Sequence, residues 1–242
     1  MRMTQHGDAL VQLTRLPRLF PVNCYLVRED DGWTLIDAAL PGSAPAILAA
    51  AQTLGAPIVR IALTHAHGDH VGSLDALHAA LPAAAVLVPA REARFLAGDR
   101  RLDPDEPQVK LRGGWQVCST RPTGLLAPGD RVGSLEVIAA PGHTPGHVAF
   151  LDRRDGTLIA GDAFQTRAGI AVAGTLRLLF PFPALATWHK PRALESARAL
   201  RARLPTRLAV GHGPVLEAPL PAMDRAIAMA ERHVPVEAPS GV

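Results

Sequence analysis

Three imidazoles and one carboxylate fall within the six residues 65–70, in the run Thr64-His65-Ala66-His67-Gly68-Asp69-His70. Neutral imidazole and carboxylate suit zinc, iron or manganese. The lack of thiolates in the run argues against a closed structural zinc site, which usually recruits cysteine. His65 and His67 can point to the same side of a loop. Asp69 and His70 leave the turn in other directions and can serve a second ion, so one short loop has the ligand types for two metals.

The elements that must position these groups are legible around them. The apolar run Ile58-Val59-Arg60-Ile61-Ala62-Leu63 reads as a buried strand, and Gly68 followed by Val71-Gly72-Ser73-Leu74 marks a turn into a helix. Three further strand-like runs end in the same way. Leu135-Glu136-Val137-Ile138-Ala139-Ala140 leads into Pro141-Gly142-His143-Thr144-Pro145-Gly146-His147. Thr157-Leu158-Ile159-Ala160 leads into Gly161-Asp162, and Arg207-Leu208-Ala209-Val210 into Gly211-His212-Gly213. Four carboxyl ends are therefore expected to converge on one polar cleft, where small residues let the backbone pass close to ions.

These separated elements, in this order, resemble the metallo-β-lactamase fold superfamily. The resemblance runs from the strand pair around Cys24-Tyr25-Leu26-Val27 and Thr34-Leu35-Ile36-Asp37 to Gly211-His212-Gly213. It implies an α/β chain folded as a four-layer αββα sandwich, a single domain over residues 1–242. It also implies His65, His67 and His143 on a first metal, Asp69, His70 and His212 on a second, and Asp162 bridging them. Such a scaffold hosts many reactions, so the fold does not name a substrate.

The reaction type that the resemblance implies is metal-assisted hydrolysis. Two divalent ions, zinc first and iron or manganese as alternatives, about 3.5–4 Å apart, lower the pKa of a shared water so that a metal-bound hydroxide exists near neutral pH. Asp69 is the expected catalytic residue, orienting the water and passing a proton to the leaving group. Asp37, at the end of its strand, looks like the carboxylate that orients a ligand histidine through the other ring nitrogen. His147 is read as a supporting histidine, not a ligand. His78 is read as a packed or solvated helix residue, His6 and His233 as exposed near the termini, and His189 as an exposed helix start.

Composition fits one compact enzyme: 242 residues, 48% hydrophobic and 19% charged. Helical periodicity predicts helices over residues 43–54, with Ser43 as cap, over 191–204, and over 221–233. The net charge of +3 and 4% aromatics point away from a nucleic-acid partner. The basic residues Arg91, Arg94, Arg100, Arg101, Lys110 and Arg112 are interleaved with Glu92, Asp99, Asp103, Asp105 and Glu106. They read as a solvated mixed-charge loop that, if functional, would meet an acidic substrate tail. Cys24 and Cys118 make no disulfide framework and are expected to pack within strands. No signal peptide is apparent at the start, and the apolar region 168–186 is broken by Arg177, Pro181 and Pro183. The expectation is a cytoplasmic protein with no membrane partner.

The substrate must be sought in the cleft walls. Segment 164–188, rich in Phe, Leu, Ala and Pro, is a candidate pocket wall, lid or subunit interface, and a twofold homodimer is a candidate assembly. The motifs are most similar to those of small lactonase-like and glyoxalase II-like hydrolases. Lactonases of that branch commonly carry a tyrosine three residues after the bridging aspartate, where this chain has Gln165. The glyoxalase II-like reading requires a glutathione-binding region after Gly213, where only a short helix is expected. A small-molecule ester, lactone or thioester with its acyl part on apolar walls is the expected substrate. The alternatives are a hydroxyacylglutathione hydrolase and a mononuclear iron enzyme that oxidises persulfides.

Overall fold

The computed structural model describes residues 1–233. The first sheet has β1 (Arg2–His6), β2 (Leu10–Arg15), β3 (Val22–Glu29), β4 (Gly32–Ile36), β5 (Ile58–Ala62), β6 (Ala85–Pro89) and β7 (Gly124–Leu126), in that order. The pairs from β1 to β4 are antiparallel, and those from β4 to β7 are parallel. Parallel pairing needs crossovers, and these carry the helices α1 (Ala44–Thr53), α2 (Gly68–Val71), α3 (Leu74–Ala80) and α4 (Ala90–Leu96). The second sheet draws on β8 (Arg131–Val132), β9 (Leu135–Ala139), β10 (Val148–Asp152), β11 (Thr157–Ile159), β14 (Arg207–Ala209) and β15 (Leu216–Glu217), in the order β15-β14-β11-β10-β9-β8. A small ribbon of β12 (Phe164–Gln165) and β13 (Ala171–Val172) comes after β11. The remaining helices are α5 (Phe182–Leu185), α6 (Lys190–Ala202) and α7 (Leu220–Glu231).

Side-chain alternation along the strands generates the layers. Leu26, Leu35 and Ile61 face α1, α3 and α4, packing on Ile47, Leu74, Leu77 and Phe95. Their neighbours Tyr25, Val27, Ile36 and Ala62 face the other way and meet Val148, Phe150, Ile159 and Ala209 of the second sheet. That sheet turns Ala149, Leu151, Leu158 and Leu208 outward onto Leu194, Ala197 and Leu200 of α6 and Met223, Ile227 and Ala230 of α7. Three apolar seams therefore separate four layers, the αββα sandwich expected from the motifs.

Several expectations are corrected at this level. Ser43 stands at the start of α1, yet its hydroxyl makes no capping bond; its N–H donates to Ser73 Oγ, which donates to Leu40 O. Cys24 sits in β3, but Cys118 lies in irregular chain between α4 and β7, although both are buried free thiols. His6 is half-buried within β1 and hydrogen-bonds Gln12, and His189 is a half-buried helix cap that accepts from Arg192 N–H. Among the described residues no helix is long and apolar enough to cross a membrane.

Candidate metal centre

The four strand ends do converge. His65, His67, Asp69 and His70 come after β5, His143 after β9, Asp162 after β11 and His212 after β14. The loops are tied to one another by backbone bonds, Val148 N–H to Thr64 O at 3.0 Å and Gly211 N–H to Gly161 O at 2.9 Å. Strand β3 braces the last one: Asn23 Nδ2 donates to Val210 O and Gly213 O, and Tyr25 Oη to Val210 O. Glycine is required where two backbones close on ligands. A Cβ on Gly211 would collide with Asp162 Oδ1, and one on Gly113 (φ +87°) would run into the His67 ring.

All seven expected ligands are brought together in three overlapping groups: His65, His67 and His143; His65, His70 and Asp162; Asp69, His70 and His212. In each, one donor atom per residue lies within 4.8 Å of the others. The five imidazoles share one device. Each has an outward nitrogen within 3.2 Å of an oxygen. For His67 the oxygen is Arg112 O, for His212 Pro21 O, and for His70 the Asp37 carboxylate. For His65 it is Thr64 Oγ1, whose own proton goes to Asp37, and for His143 it is Thr187 Oγ1, whose proton goes to Pro183 O. Every outer oxygen thus accepts, so the outer nitrogen carries a proton, and in each neutral ring the inner one presents a lone pair.

The inner atoms meet one another: His67 Nδ1 and His143 Nε2 are 3.0 Å apart, and His212 Nε2 lies 3.2–3.3 Å from Asp162 and Asp69. His65 Nε2, His70 Nε2 and Asp162 Oδ1 are buried without a hydrogen bond, which is costly unless another group satisfies them. Asp162 lies 3.2–3.4 Å from His212, His143 and His70. Burial alone would raise its pKa, but those imidazoles hold it well below the carboxylate range. Burial pushes His65, His67 and His143 down, so they are neutral. Burial also works against a proton on His70 and His212, yet Asp162 outweighs it, lifting His70 well above its usual value and His212 up to about 10. Three neutral lone pairs beside carboxylates that draw protons onto neighbouring imidazoles make a donor set that fits divalent cations.

The supporting residues divide into those foreseen and those missed. Asp37 takes the expected place, accepting from Thr64 N–H, Thr64 Oγ1 and His70 Nδ1, each at 2.8 Å. His147 is not turned to the inner face of the candidate ligands; its Nε2 accepts the Asp162 N–H at 3.0 Å, setting that carboxylate in place. Glu92, read in the sequence as part of a solvated loop, is fully buried on α4. It accepts from Ala66 N–H in the first ligand loop and from Thr144 Oγ1 and Gly146 N–H in the second, each at 2.8 Å. Nothing in the charge pattern separates it from its exposed neighbours; only its helical spacing from Phe95 and Leu96 signals a buried face.

The centre forms the floor of a cavity of about 590 Å³, with His67, Asp69, His143, Asp162 and His212 in its lining. Its walls are largely apolar, from Phe20, Leu40, Trp115, Phe182, Pro183 and Leu185. Segment 164–188 splits accordingly. Phe164 and Val172 are core, whereas 182–186 forms cavity wall. Gln165 does not line the cavity; it is buried and its amide donates to Gly169 O instead.

A family model described as the metallo-beta-lactamase superfamily matches residues 17–212. The uncharacterized protein YobT of Bacillus subtilis (strain 168) is 53% identical over 233 residues, 96% of this chain and 100% of that protein. A hydroxyacylglutathione hydrolase of Xanthomonas axonopodis pv. citri (strain 306) is 32% identical over 156 residues, which are 64% of this chain but only 51% of that protein. A crystal structure of TTHA1623 in a di-iron-bound form is 29% identical, with a TM-score of 0.60, covering 87% of this chain and 96% of that one.

Proposed function

The chain belongs to the metallo-beta-lactamase superfamily, and from that membership we propose that it is a metal-dependent hydrolase of small acyl substrates: esters, lactones or thioesters. His65, His67 and His143 would hold one divalent ion, Asp69, His70 and His212 a second, and Asp162 would lie between them. The observation that carries this reading is the arrangement of five imidazoles, every outer nitrogen bonded to an accepting oxygen, clustered with Asp69 and Asp162, and three of them, His67, His143 and His212, lining an apolar-walled cavity.

When bound, such cations supply Lewis-acid polarisation of the scissile carbonyl and lower the pKa of a nearby water. The remaining work falls to the chain. Asp69 lines the cavity with 23% of its side chain exposed, and its Oδ2 lies 3.3 Å from His212 Nε2. Burial would raise this carboxyl, but His212 and His70 hold it below its usual range, so it is ionised at neutral pH. It orients the attacking water, receives its proton and passes it to the leaving group. Phe20, Leu40, Trp115 and Phe182 hold the acyl part and exclude bulk water.

Elemental analysis of protein purified without added metal, combined with assays on aryl esters, lactones and acyl thioesters, tests this reading. Near two divalent ions per chain, and hydrolysis abolished by chelation and restored by zinc, manganese or iron, is the expected result. A single iron with dioxygen consumption on a persulfide, or a metal-loaded protein inert to every acyl substrate, overturns it.

A further inference from the structure

The basic residues from α4 to Arg112 separate into two sets. Arg91 pairs with Glu106 at 2.8 Å, Arg94 with Asp103 at 2.5 Å and Arg101 with Asp99 at 2.9 Å, so the first set is neutralised within its own loop. Arg100, Lys110 and Arg112 are exposed and make no ion pair with a described carboxylate, and Lys190 at the start of α6 is the same. Lys110, Arg112 and Lys190 line a second cavity of about 430 Å³, together with Trp188 and Leu185, and among the described residues its lining contains no Asp or Glu. The cavity at the metal centre, by contrast, has no Lys or Arg in its lining among the described residues. Leu185, 60% exposed, borders both.

The two segments that carry the cations are the ones that hold the metal-centre loops. Arg112 O accepts from His67 Nε2 at 3.0 Å, and Gly68 N–H donates to Gly114 O at 2.7 Å. On the other side Trp188 N–H donates to His143 O, His189 N–H to Gly142 O, and Thr187 Oγ1 accepts from His143 Nδ1. The cationic cavity is thus fixed relative to the donor set by bonds on both of its flanks. Unpaired like charges around one cavity attract anions, and guanidinium and ammonium groups match phosphate and carboxylate oxygens.

We propose that Lys110, Arg112 and Lys190 form an anion-binding subsite for the leaving group, so that the substrate is an acyl ester or thioester whose alcohol or thiol carries phosphate or carboxylate groups. The proposal rests on the acyl-hydrolase reading above. The acyl part lies in the apolar cavity, the scissile carbonyl at the centre, and the charged part beyond Leu185. In the reaction, water oxygen bonds to the acyl carbon and the carbon–sulfur or carbon–oxygen bond breaks. The carboxylic acid and the free thiol or alcohol leave, the water's second proton passing to the departing sulfur or oxygen.

The test compares one acyl group on three thiols: N-acetylcysteamine, which is neutral, glutathione, which carries carboxylates, and coenzyme A, which carries phosphates. The metal-loaded enzyme should favour a charged thioester at least tenfold in kcat/KM, through KM. Lys110→Ala with Lys190→Ala, and separately Arg112→Ala, should cut that charged-to-neutral ratio by about tenfold. The better thiol tells phosphate from carboxylate. Equal kcat/KM for all three, or a ratio unmoved by the substitutions, overturns the subsite and leaves the hydrolase reading standing. Binding of S-methyl coenzyme A and S-methylglutathione by calorimetry reads the subsite without turnover. Saturable binding weakened by the same substitutions supports it even if no acyl substrate is hydrolysed, and no binding to the wild type overturns it.

Discussion

Asp37 Oδ2 lies 2.8 Å from His70 Nδ1 and the same oxygen accepts the Thr64 hydroxyl, so one carboxylate sets the ring of one candidate ligand and, through Thr64, the ring of another, His65. Asp37 does this at φ +64°, a left-handed conformation that asparagine tolerates far better than alanine. Asp37→Asn therefore keeps the backbone while turning an amide NH2 either toward both His70 N–H and Thr64 O–H, at the Oδ2 position, or toward Thr64 N–H, at the Oδ1 position. The expected outcome is a loss of metal affinity of roughly 10–100-fold with the fold retained, the range for such supporting partners. Chelator competition and circular dichroism measure it. An affinity equal to wild type would show that His70 is held by something other than this carboxylate.

His65 and His147 are both fully buried, with ring centroids 5.0 Å apart, yet substitution should separate them. His65 Nε2 has no protein partner, so its contribution at that atom exists only when a cation is bound. His65→Ala should lose metal and activity together and shrink the gain in Tm on metal loading. His147 Nε2 instead accepts the Asp162 N–H whether or not metal is present. His147→Ala orphans that donor and should destabilise the metal-depleted protein by about 1–3 kcal/mol. Thermal melts with and without metal distinguish the two patterns. Identical behaviour of both variants would refute the assignment.

The ligand loops are legible in the sequence because each combines a β-branched strand with a Gly-flanked His or Asp, a local pattern with one physical reading. Strands β3, β4, β5 and β9 and the helices α1, α6 and α7 emerge from periodicity for the same reason, within a few residues at the ends. What escapes depends on contacts distant in sequence. Glu92 is joined to Ala66 across 26 positions and to Gly146 across 54, and Thr187 to His143 across 44. Cys118 is buried without being in a strand because the 115–118 segment packs beneath α4, its N–H donating to Leu96 O. The basic run does not divide by sequence into its paired and unpaired members, since that depends on which carboxylates the loop folds back upon.

Phe182 makes a testable wall. It packs against Phe20 and Phe180 at centroid distances of 5.2 and 5.5 Å, remains 52% exposed, and borders the metal cavity. An acyl chain that reaches this ring gains apolar contact at roughly 25 cal/mol per Å² removed from water. Phe182→Ala should raise KM for a hexanoyl or octanoyl ester by about fivefold to tenfold, leaving the acetyl ester little changed and kcat near wild type. Steady-state kinetics across a chain-length series is the measurement. A uniform loss at all lengths would mean that the ring supports the centre and not the acyl chain.

Glu92 gives a prediction in pH. Burial pushes its carboxyl from 4.5 up to about 7, against hydrogen bonds from Thr144, Ala66 and Gly146 that pull the other way. The folded protein therefore keeps a proton that the unfolded chain loses as pH rises above about 4.5. Its contribution to stability is full below that value, falls as pH climbs toward 7, and is flat beyond. Glu92→Gln is uncharged throughout and lacks this slope, although its amide also meets the Ala66 N–H with a donor or forfeits one of the other two bonds. The variant should be less stable than wild type at pH 5, and the gap should close by about 2 kcal/mol by pH 8. Denaturant unfolding of both metal-depleted proteins at the two pH values cancels the histidines common to them. A gap independent of pH would place the Glu92 carboxyl at its ordinary pKa, with its three donors outweighing burial.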